Sequence, residues 1–359
     1  MDTEITPNTI SEPRIKPARV DGHNAYYKSG ATRVPRHVLH EIEVVLKEHR
    51  DKAAKSEKKV GAKTQEIRET TIKNFFSDLF FLKYKITSIH ALKQKHLEAV
   101  FKFLEANGQS PATLQNKISV MRVFCEWIGK NGMVTDSVHY VEDIQSVRRT
   151  MVVQEDKSWE GKGVDIVNNL SLIREKDEVV AIWLELCFAF GFRVQEAVMF
   201  RPDIAREGEF VWVREGTKGD RPRVVPIEND VQRDVLKRAS SIASKRYGIT
   251  GQRGKSVKQK LRHFYHVIES CGITLAKHGV TAHGARHQYM QESFEKLFGV
   301  KAPIKGGNIA EIDPEKRVLG EGKLMERAGH TRPTIGASYY GSRKPPKSDQ
   351  KLVEQKIVQ

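Results

Sequence analysis

Residues 179–196 read VVAIWLELCFAFGFRVQE, and this stretch decides how the larger part of the chain folds. It is almost entirely apolar up to Gly191, interrupted by Glu185, which is typical of a buried helix that ends at a glycine. The apolar run is too short to cross a bilayer, which needs about 20 such residues, so the sequence argues against a membrane protein. Arg193 and Glu196 follow directly after this helix.

The residues around this helix predict a domain of mixed α and β structure over residues 166–345. Two short β-like runs, at 211–213 and 223–227, flank a turn at 217–220 and predict a hairpin. Further helices are predicted near residues 230–246, 256–270, 284–297 and 333–340. The stretch 299–322 contains two adjacent glycines and two prolines, and we interpret it as an insertion or a flexible loop.

The residues before this domain predict a compact helical domain over 61–134. The first helix shows one apolar stripe, formed by Ile72, Phe75, Phe76, Leu79 and Phe80. A second helix stops at Asn107-Gly108, and a third opens with Ser110 as its N-cap and Pro111 at its first position. The predicted fold class is therefore mainly α with a small antiparallel β-sheet.

Other segments flank or join the predicted domains. Residues 1–60 are charged and poor in periodic apolar residues, and we interpret them as a basic arm that grips flanking DNA or as a disordered leader, with a helix around 37–52. Residues 135–165 are mostly polar and predict a linker. Residues 346–359 form a C-terminal tail that either packs on a neighbouring molecule or frays.

The charge of the chain favours nucleic acid as its partner. The 359 residues include 61 Lys and Arg against 45 Asp and Glu, which leaves a net charge of +16. Basic side chains that bind phosphates release condensed counterions, which favours binding to nucleic acid. The alternative is a highly charged protein whose basic bias has no such partner. The N-terminus lacks a secretory signal, and the three cysteines have neither disulfide nor zinc spacing. We therefore expect a cytoplasmic, nucleoid-associated protein.

Scattered polar residues of the second domain form an ordered series. Its members are Arg193 after the apolar helix, Lys218 at the tip of the predicted hairpin, His283, Arg286, His330 after Gly329, and Tyr339. His283 and Arg286 are three residues apart, and His330 and Tyr339 are nine apart. Each fragment alone occurs often by chance, whereas the whole series in this order is a specific signal.

The series resembles the tyrosine site-specific recombinases of the phage integrase family. That family presents an arginine in a G-x-R-x-x-E context, a hairpin lysine, an H-x-x-R box, and a G-H pair followed after nine residues by the nucleophilic tyrosine. Residues 61–134 look like its helical core-binding (SAM-like) domain, and 166–345 like its α+β catalytic domain. The resemblance implies a DNA recombinase or integrase that works through a 3′-phosphotyrosyl intermediate, without a cofactor or a metal.

The residue types of the series suit this chemistry. Cleavage of a phosphodiester without a metal requires a nucleophile, positive charge at the non-bridging oxygens and a proton for the leaving oxygen. Arg193 and Arg286 would each fork two hydrogen bonds onto the phosphate. Tyr339 would attack the phosphorus and form the covalent link.

The remaining members of the series would move protons or support the arginines. Lys218 would protonate the 5′ oxygen as a general acid, and His283 would assist proton transfer from the tyrosine. His330 would hydrogen-bond a phosphate oxygen. Glu196, one helical turn after Arg193, is better placed to orient that arginine than to take part in the reaction.

Several of these residues also have a structural interpretation. In isolation Arg193 is better explained as a helix-end residue paired with Glu196, but the series favours the catalytic role. The alternatives for Lys218 and His330 are an exposed turn lysine and a helix cap. The same hairpin carries other cations that are alternatives to Lys218, namely Arg214, Arg221 and Arg223. His287 is either a further phosphate contact or a surface histidine.

Two adjacent tyrosines compete for the role of nucleophile. Neighbouring residues of a helix point about 100° apart, so only one of the two can face the phosphate. The nine-residue spacing favours Tyr339, and Tyr340 then packs against it or braces it.

The resemblance also implies partners. The expected substrate is double-stranded DNA with a specific recombination site, held between the two domains. A homotetramer would act on two duplexes through a Holliday intermediate. Integration of a mobile element is favoured over excision or chromosome resolution, and accessory DNA-bending or directionality proteins are compatible with that role.

Other functions remain open at this point. A type IB topoisomerase shares the active-site chemistry and would nick and close DNA of any sequence. A catalytically inactive DNA-binding relative would keep the fold without turnover. A basic RNA-binding protein is disfavoured, because the sequence shows no recognisable aromatic-rich RNA module.

Overall fold

A computed structural model describes residues 34–53, 56–244, 248–251 and 254–342. The chain divides into two compact units between Arg149 and Thr150. Most described residues are helical, and the described strands form small antiparallel sheets. The predicted fold class, mainly α with a small antiparallel β-sheet, is therefore confirmed. No helix in these ranges is long and apolar enough to cross a membrane.

The N-terminal unit is built from helices that share one apolar core. They are α1 (Arg36–His49), α2 (Ala62–Phe81), α3 (Gln94–Ala106) and α4 (Pro111–Trp127). Phe76 of α2 and Phe101 of α3 are fully buried there, as the predicted apolar stripes require. α4 begins where the sequence predicts, because the Ser110 hydroxyl accepts a hydrogen bond from the Thr113 amide and Pro111 fits the first turn.

Helix α1 lies inside the segment 1–60 that the sequence analysis interprets as an arm or leader. Val38, Ile42 and Leu46 are buried in the core of the N-terminal unit, so the described part of this segment belongs to that unit. Their spacing of four residues is a helical stripe that the surrounding charged residues obscure in the sequence. The rest of the predicted arm and the predicted tail lie outside the described residues.

A hairpin and part of the predicted linker complete the N-terminal unit. Strand β1 (Lys52–Ala53) pairs with β2 (Ser56–Lys59), a hairpin that the sequence analysis does not predict. The first half of the segment 135–165 folds onto this unit, where the buried Tyr140 hydroxyl accepts a hydrogen bond from the Thr135 amide at 3.0 Å. The second half folds into the C-terminal unit, so this segment is structured rather than a free linker.

Helix α6 (Glu178–Phe190) forms the centre of the C-terminal unit. Ile182, Trp183 and Leu184 are fully buried in succession, which means that the helix is covered on all sides. The other helices are α5 (Ile166–Lys176), α7 (Val194–Met199), α8 (Pro202–Ala205), α9 (Asp230–Ser241), α10 (Val257–Ser270), α11 (Leu275–His278), α12 (Ala282–Phe298), α13 (Pro314–Arg327) and α14 (Ala337–Tyr340). Helices α5, α7, α9 and α12 pack against α6.

The small sheet of the C-terminal unit contains the predicted hairpin. Its strands β3 (Arg206–Glu207), β4 (Phe210–Val213) and β5 (Arg223–Pro226) are antiparallel in the order β3-β4-β5. Val211 pairs with Val225, and both are buried together with Arg223, so alternate residues of these strands point into the core. Residues 214–222 form the loop between β4 and β5, and Lys218 lies in this loop.

The stretch 299–322, interpreted from the sequence as an insertion or a flexible loop, is partly helical. Helix α13 begins within it after Asp313, whose carboxylate accepts a hydrogen bond from the Lys316 amide. Gly320 lies inside this helix, where a Cβ would come within 2.5 Å of the Phe298 ring. Close packing, and not backbone flexibility, therefore explains a glycine at this position.

Replacement of Ile42 by alanine is expected to destabilise the N-terminal unit by about 2–5 kcal/mol, because the fully buried side chain would leave a cavity. The measurement is urea unfolding of the full chain. Val44→Ala, at a half-exposed position of the same helix, is the matched control and should change stability by no more than about 0.5 kcal/mol. Equal losses from the two substitutions would contradict the place of α1 in the core.

Candidate active site

Arg193 is held beyond the end of helix α6 by a reversal of the chain. Gly191 ends α6 with a φ of +61°, a left-handed conformation that favours glycine, and the Tyr289 ring leaves no room for a Cβ there. Arg193 is then the N-cap residue of α7, and its backbone N–H and its Nη1 each donate a hydrogen bond to Glu196 at 2.7 Å. These contacts suit a residue that orients Arg193.

Glu196 is fully buried and also binds Arg223 of strand β5. Its two carboxylate oxygens accept hydrogen bonds from Arg223 Nη1 and Nη2 at 2.7 and 2.6 Å. Burial raises the pKa of Glu196, but the hydrogen bonds and charge of Arg223, followed by the charges of Arg193 and Arg286, outweigh it and hold that pKa at about 2. The carboxylate is therefore ionised at neutral pH.

Arg286 of helix α12 connects three segments of the C-terminal unit. Its fully buried guanidinium donates hydrogen bonds to the carbonyl oxygens of Gly191 and Ala328, and its Nε donates to the Tyr339 hydroxyl at 3.1 Å. Burial lowers the pKa of Arg286 from its ordinary value. Arg193 Nη2 also reaches the Ala328 oxygen, at 3.4 Å, so the two arginines lie side by side.

The Tyr339 hydroxyl lies in the same cluster of side chains. His330 Nε2 is 3.1 Å from this hydroxyl, which also accepts the hydrogen bond from Arg286. Gln291 Nε2 donates to the backbone carbonyl of Tyr339 at 3.3 Å, and Tyr339 is only 5% exposed. Both the main chain and the hydroxyl of this residue are therefore fixed.

The neighbouring tyrosine occupies a different environment. The Tyr340 ring is buried in the core and packs on Phe294, with ring centroids 4.6 Å apart. Tyr339 has its hydroxyl beside Arg286 and His330 instead. The tyrosine that the nine-residue spacing favours, Tyr339, is thus the one whose hydroxyl lies beside Arg286 and His330.

Neutral histidines surround Tyr339. The ring centroids of His287, His330 and His283 lie 5.1, 5.9 and 6.3 Å from that of Tyr339. Loss of water in the cleft, and after it nearby charged groups such as Arg286, lowers the pKa of each histidine to about 4. His287 is buried, which contradicts its interpretation as a surface histidine, whereas His283 is exposed.

Lys218 lies near the cluster without touching it. Its side chain is exposed in the loop between β4 and β5, and its charge is among the causes that lower the pKa of His330. Nothing in the described structure shows it in contact with Tyr339 or with either arginine of the cluster. The role predicted for Lys218 therefore requires the loop to approach a bound substrate.

The hairpin arginines that are alternatives to Lys218 have different surroundings. Arg223 points inward to Glu196, Arg214 lies 5.0 Å from the centroid of the Trp212 ring, and Arg221 is exposed. Arg223 therefore belongs to the site as a buried partner of Glu196, a role that sequence reasoning missed.

The arrangement suits chemistry on an anionic phosphate. It combines a hydroxyl nucleophile, adjacent guanidinium groups and neutral imidazoles that can accept a proton. Within the described ranges, no group of three or more His, Cys, Asp or Glu side chains is arranged to hold a metal ion.

Sequence models of known protein families match both units. A model described as "Phage integrase, N-terminal" matches residues 48–134, and one described as "Integrase" matches residues 157–292. Together these matches cover more than half of the chain, and the second includes Arg193 and Arg286. The chain is a tyrosine recombinase of the phage integrase family.

Solved structures of two integrases and a site-specific recombinase share the fold of this chain. A lambda integrase dimer bound to a COC′ core site is 14% identical with a TM-score of 0.55, covering 86% of this chain and 98% of the other. The Tn1549 transposon integrase in complex with transposon right end DNA has the same identity and TM-score, with coverage of 89% and 99%. XerH bound to a palindromic difH substrate reaches 0.50 at 14% identity and covers 93% of both chains. A comparison with curated protein sequences found no match.

Sequence reasoning also missed two residues that support Tyr339 through a chain of hydrogen bonds to its backbone carbonyl. Gln291 of α12 is fully buried and bridges the Tyr339 carbonyl and Asp156 Oδ1, the latter at 2.9 Å. Asp156 precedes the exposed Lys157, whose charge helps to lower the pKa of His287. A signal was present, because Gln291 follows His287 by four residues and thus shares its helix face.

The stability of the C-terminal unit is expected to fall as the pH decreases from 6.5 to 4.5. The pKa of buried His287 is about 4 in the folded unit, against an ordinary value of 6.5, so the unfolded chain binds the proton first and folding is penalised. His287→Asn should reduce this loss by about 2 kcal/mol in urea unfolding at several pH values. His266→Asn, at an exposed position of α10, is the control. If the free energy of unfolding of the His287 variant fell with pH as much as that of the unmodified protein, the lowered pKa of His287 would be contradicted.

Proposed function

We propose that this integrase-family chain cuts and rejoins double-stranded DNA at a specific site through a covalent bond between Tyr339 and a 3′-phosphate. The observation that carries the proposal is the Tyr339 hydroxyl, which lies 3.1 Å from both Arg286 Nε and His330 Nε2. Arg193 lies beside Arg286, since both reach the carbonyl oxygen of Ala328. A nucleophile and two guanidinium groups thus share one cleft.

The two guanidinium groups would bind the scissile phosphate. The hydrogen-bond donors that Arg193 and Arg286 direct at the Ala328 carbonyl would turn to the non-bridging phosphate oxygens. Negative charge grows on these oxygens as Tyr339 attacks, so fixed cations stabilise the transition state more than the ground state. Loss of one such donor typically costs about 100- to 1000-fold in rate.

The proton of Tyr339 requires an acceptor. The sequence favours His283 for this role, but His330 is the histidine within hydrogen-bonding distance of the hydroxyl. The pKa of His330, lowered to about 4 by loss of water and by Arg286, keeps its ring neutral before the reaction. We therefore assign the proton transfer to His330. His287 keeps its predicted role as a phosphate contact, and we propose the same role for His283.

Lys218 is the proposed general acid for the departing 5′ oxygen. Its exposed position in a loop near His330 is consistent with approach to a bound strand. The phosphotyrosyl bond then retains the energy of the phosphodiester, and attack by the free 5′ hydroxyl reverses the step. On this proposal, neither ATP, a metal nor a cofactor is required.

The family matches favour recombination over the other functions that the sequence left open. Both matching models describe integrases. An inactive DNA-binding relative is disfavoured because the tyrosine, arginines and histidine of the series occupy one cleft. Relaxation of supercoiled plasmid of any sequence would favour the topoisomerase instead.

The proposal includes a homotetramer that acts on two duplexes at the nucleoid. A lambda integrase tetramer bound to a Holliday junction shares this fold, with a TM-score of 0.53 at 15% identity, covering 90% of this chain and 85% of the other. We assign the activity to integration of a mobile element, with excision or chromosome resolution as the alternatives. Sequencing of the genomic DNA ends that remain covalently attached to the protein identifies the recombination site and the polarity of the linkage.

Tyr339→Phe is expected to abolish covalent capture of a nicked suicide duplex that carries the recombination site, because no hydroxyl remains beside Arg286. Tyr340→Phe should retain capture, since that ring packs on Phe294 in the core. Denaturing gel electrophoresis of the protein–DNA adduct measures both. Capture by the first variant together with loss in the second would reverse the assignment of the nucleophile.

Lys218→Ala is expected to slow cleavage by about 100-fold or more, the usual contribution of a general acid. A duplex with sulfur in place of the bridging 5′ oxygen should restore most of this loss, because a thiolate leaves without a proton. Single-turnover cleavage of the two duplexes gives the comparison. Arg221→Ala, at an exposed position of the same loop, is the control. If sulfur rescued the arginine variant and not the lysine variant, Arg221 would be the acid.

A further inference from the structure

The side chain of Arg223 is buried behind the site, where it cannot reach a substrate. Its exposed fraction is 2%, and its guanidinium carbon lies 5.7 Å from the centroid of the Phe192 ring. Both terminal nitrogens donate to Glu196, one to each carboxylate oxygen, at 2.7 and 2.6 Å. This is the planar two-bond geometry that arginine forms with a carboxylate.

Glu196 stands between an inner and an outer arginine. Its Oε1 accepts from Arg193 Nη1 and Arg223 Nη1, and its Oε2 accepts from the Arg193 amide and Arg223 Nη2. Arg193 thus spends one guanidinium nitrogen on Glu196, whereas Arg223 spends two. Arg193 Nη2 points to the Ala328 oxygen, beside Arg286, and makes no hydrogen bond to Glu196.

Because Glu196 is buried, the way in which its hydrogen bonds are divided between the two arginines decides where Arg193 can point. An ionised carboxylate removed from water requires full compensation by donors and charge. If Arg223 did not supply the inner pair, the strongest compensation within reach would be a two-bond contact from Arg193. That contact would turn Arg193 away from the phosphate.

We propose that Arg223 is a positioning residue for strand cleavage: by holding both oxygens of Glu196 from the buried side, it leaves Arg193 free to bind a non-bridging oxygen of the scissile phosphate. This inference rests on the proposed function. On this inference Arg223 makes no contact with DNA, whereas the sequence had left it open as an alternative to Lys218.

The test compares two DNA substrates with the full-length protein. Both are nicked duplexes of the recombination site, and one carries an uncharged methylphosphonate at the scissile position, which has one oxygen fewer to stabilise. Arg223→Met should lower the single-turnover rate of covalent capture by about 100-fold on the phosphodiester, as loss of an oxyanion donor does. On the methylphosphonate, the loss of capture rate caused by Arg223→Met should be smaller by a factor of about ten or more. A residue that serves only folding would slow both substrates equally.

Additional variants separate positioning from folding. Glu196→Gln combined with Arg223→Met removes the buried charge that would capture Arg193, so the double variant should cleave the phosphodiester faster than Arg223→Met alone. Arg223→Lys keeps the charge without the two-bond geometry and should show the same substrate difference with a smaller loss. If Arg223→Met fails to fold by circular dichroism, the lysine variant provides the comparison. Arg221→Met controls for loss of one positive charge near the site.

The outcomes distinguish this inference from the proposed function. Unmodified protein that captures DNA, with Tyr339→Phe inactive, establishes the reaction independently of Arg223. Full activity of Arg223→Met, or equal loss on the two substrates in every Arg223 variant, would then overturn the positioning role alone. Failure of the unmodified protein to capture any DNA would overturn the proposed function and this inference together.

Discussion

The site depends on one buried carboxylate and the arginines around it. Glu196 joins the N-terminus of α7 to strand β5 through Arg193 and Arg223, and the pKa of about 2 shows that their hydrogen bonds and charge outweigh the cost of burial. Removal of either arginine would leave this buried charge with only part of its compensation. The position of Arg193 is therefore determined by the fold and does not depend on a bound substrate.

The second arginine is stabilised without a carboxylate of its own. Arg286 donates to the carbonyl oxygens of Gly191 and Ala328, which are the C-cap residues of α6 and α13. Carbonyls at a helix C-terminus lack partners within the helix and carry its partial negative charge. Two helix ends thus act as the counter-charge for a buried guanidinium, and they leave its Nε directed at Tyr339.

Much of this arrangement could be predicted from the sequence, because residue type and order specify it. Apolar periodicity predicted most helices, and the series from Arg193 to Tyr339 identified side chains that the fold brings into one cleft. The inward role of Arg223 was missed although strand alternation with Val225 places both on the buried face. The choice of His330 over His283 as the neighbour of the hydroxyl was beyond sequence reasoning, because it depends on packing between α12 and α14.

The neutral histidines connect the chemistry to the arrival of a substrate. Loss of water and nearby cations such as Arg286 hold the pKa of His330 and of His287 at about 4, so a protonated imidazole is unfavourable beside Tyr339 in the free protein. A phosphate bound between Arg193 and Arg286 brings negative charge that opposes this effect and favours the protonated ring. On the proposed mechanism, His330 is therefore a better acceptor for the tyrosine proton once DNA is bound than in the free protein.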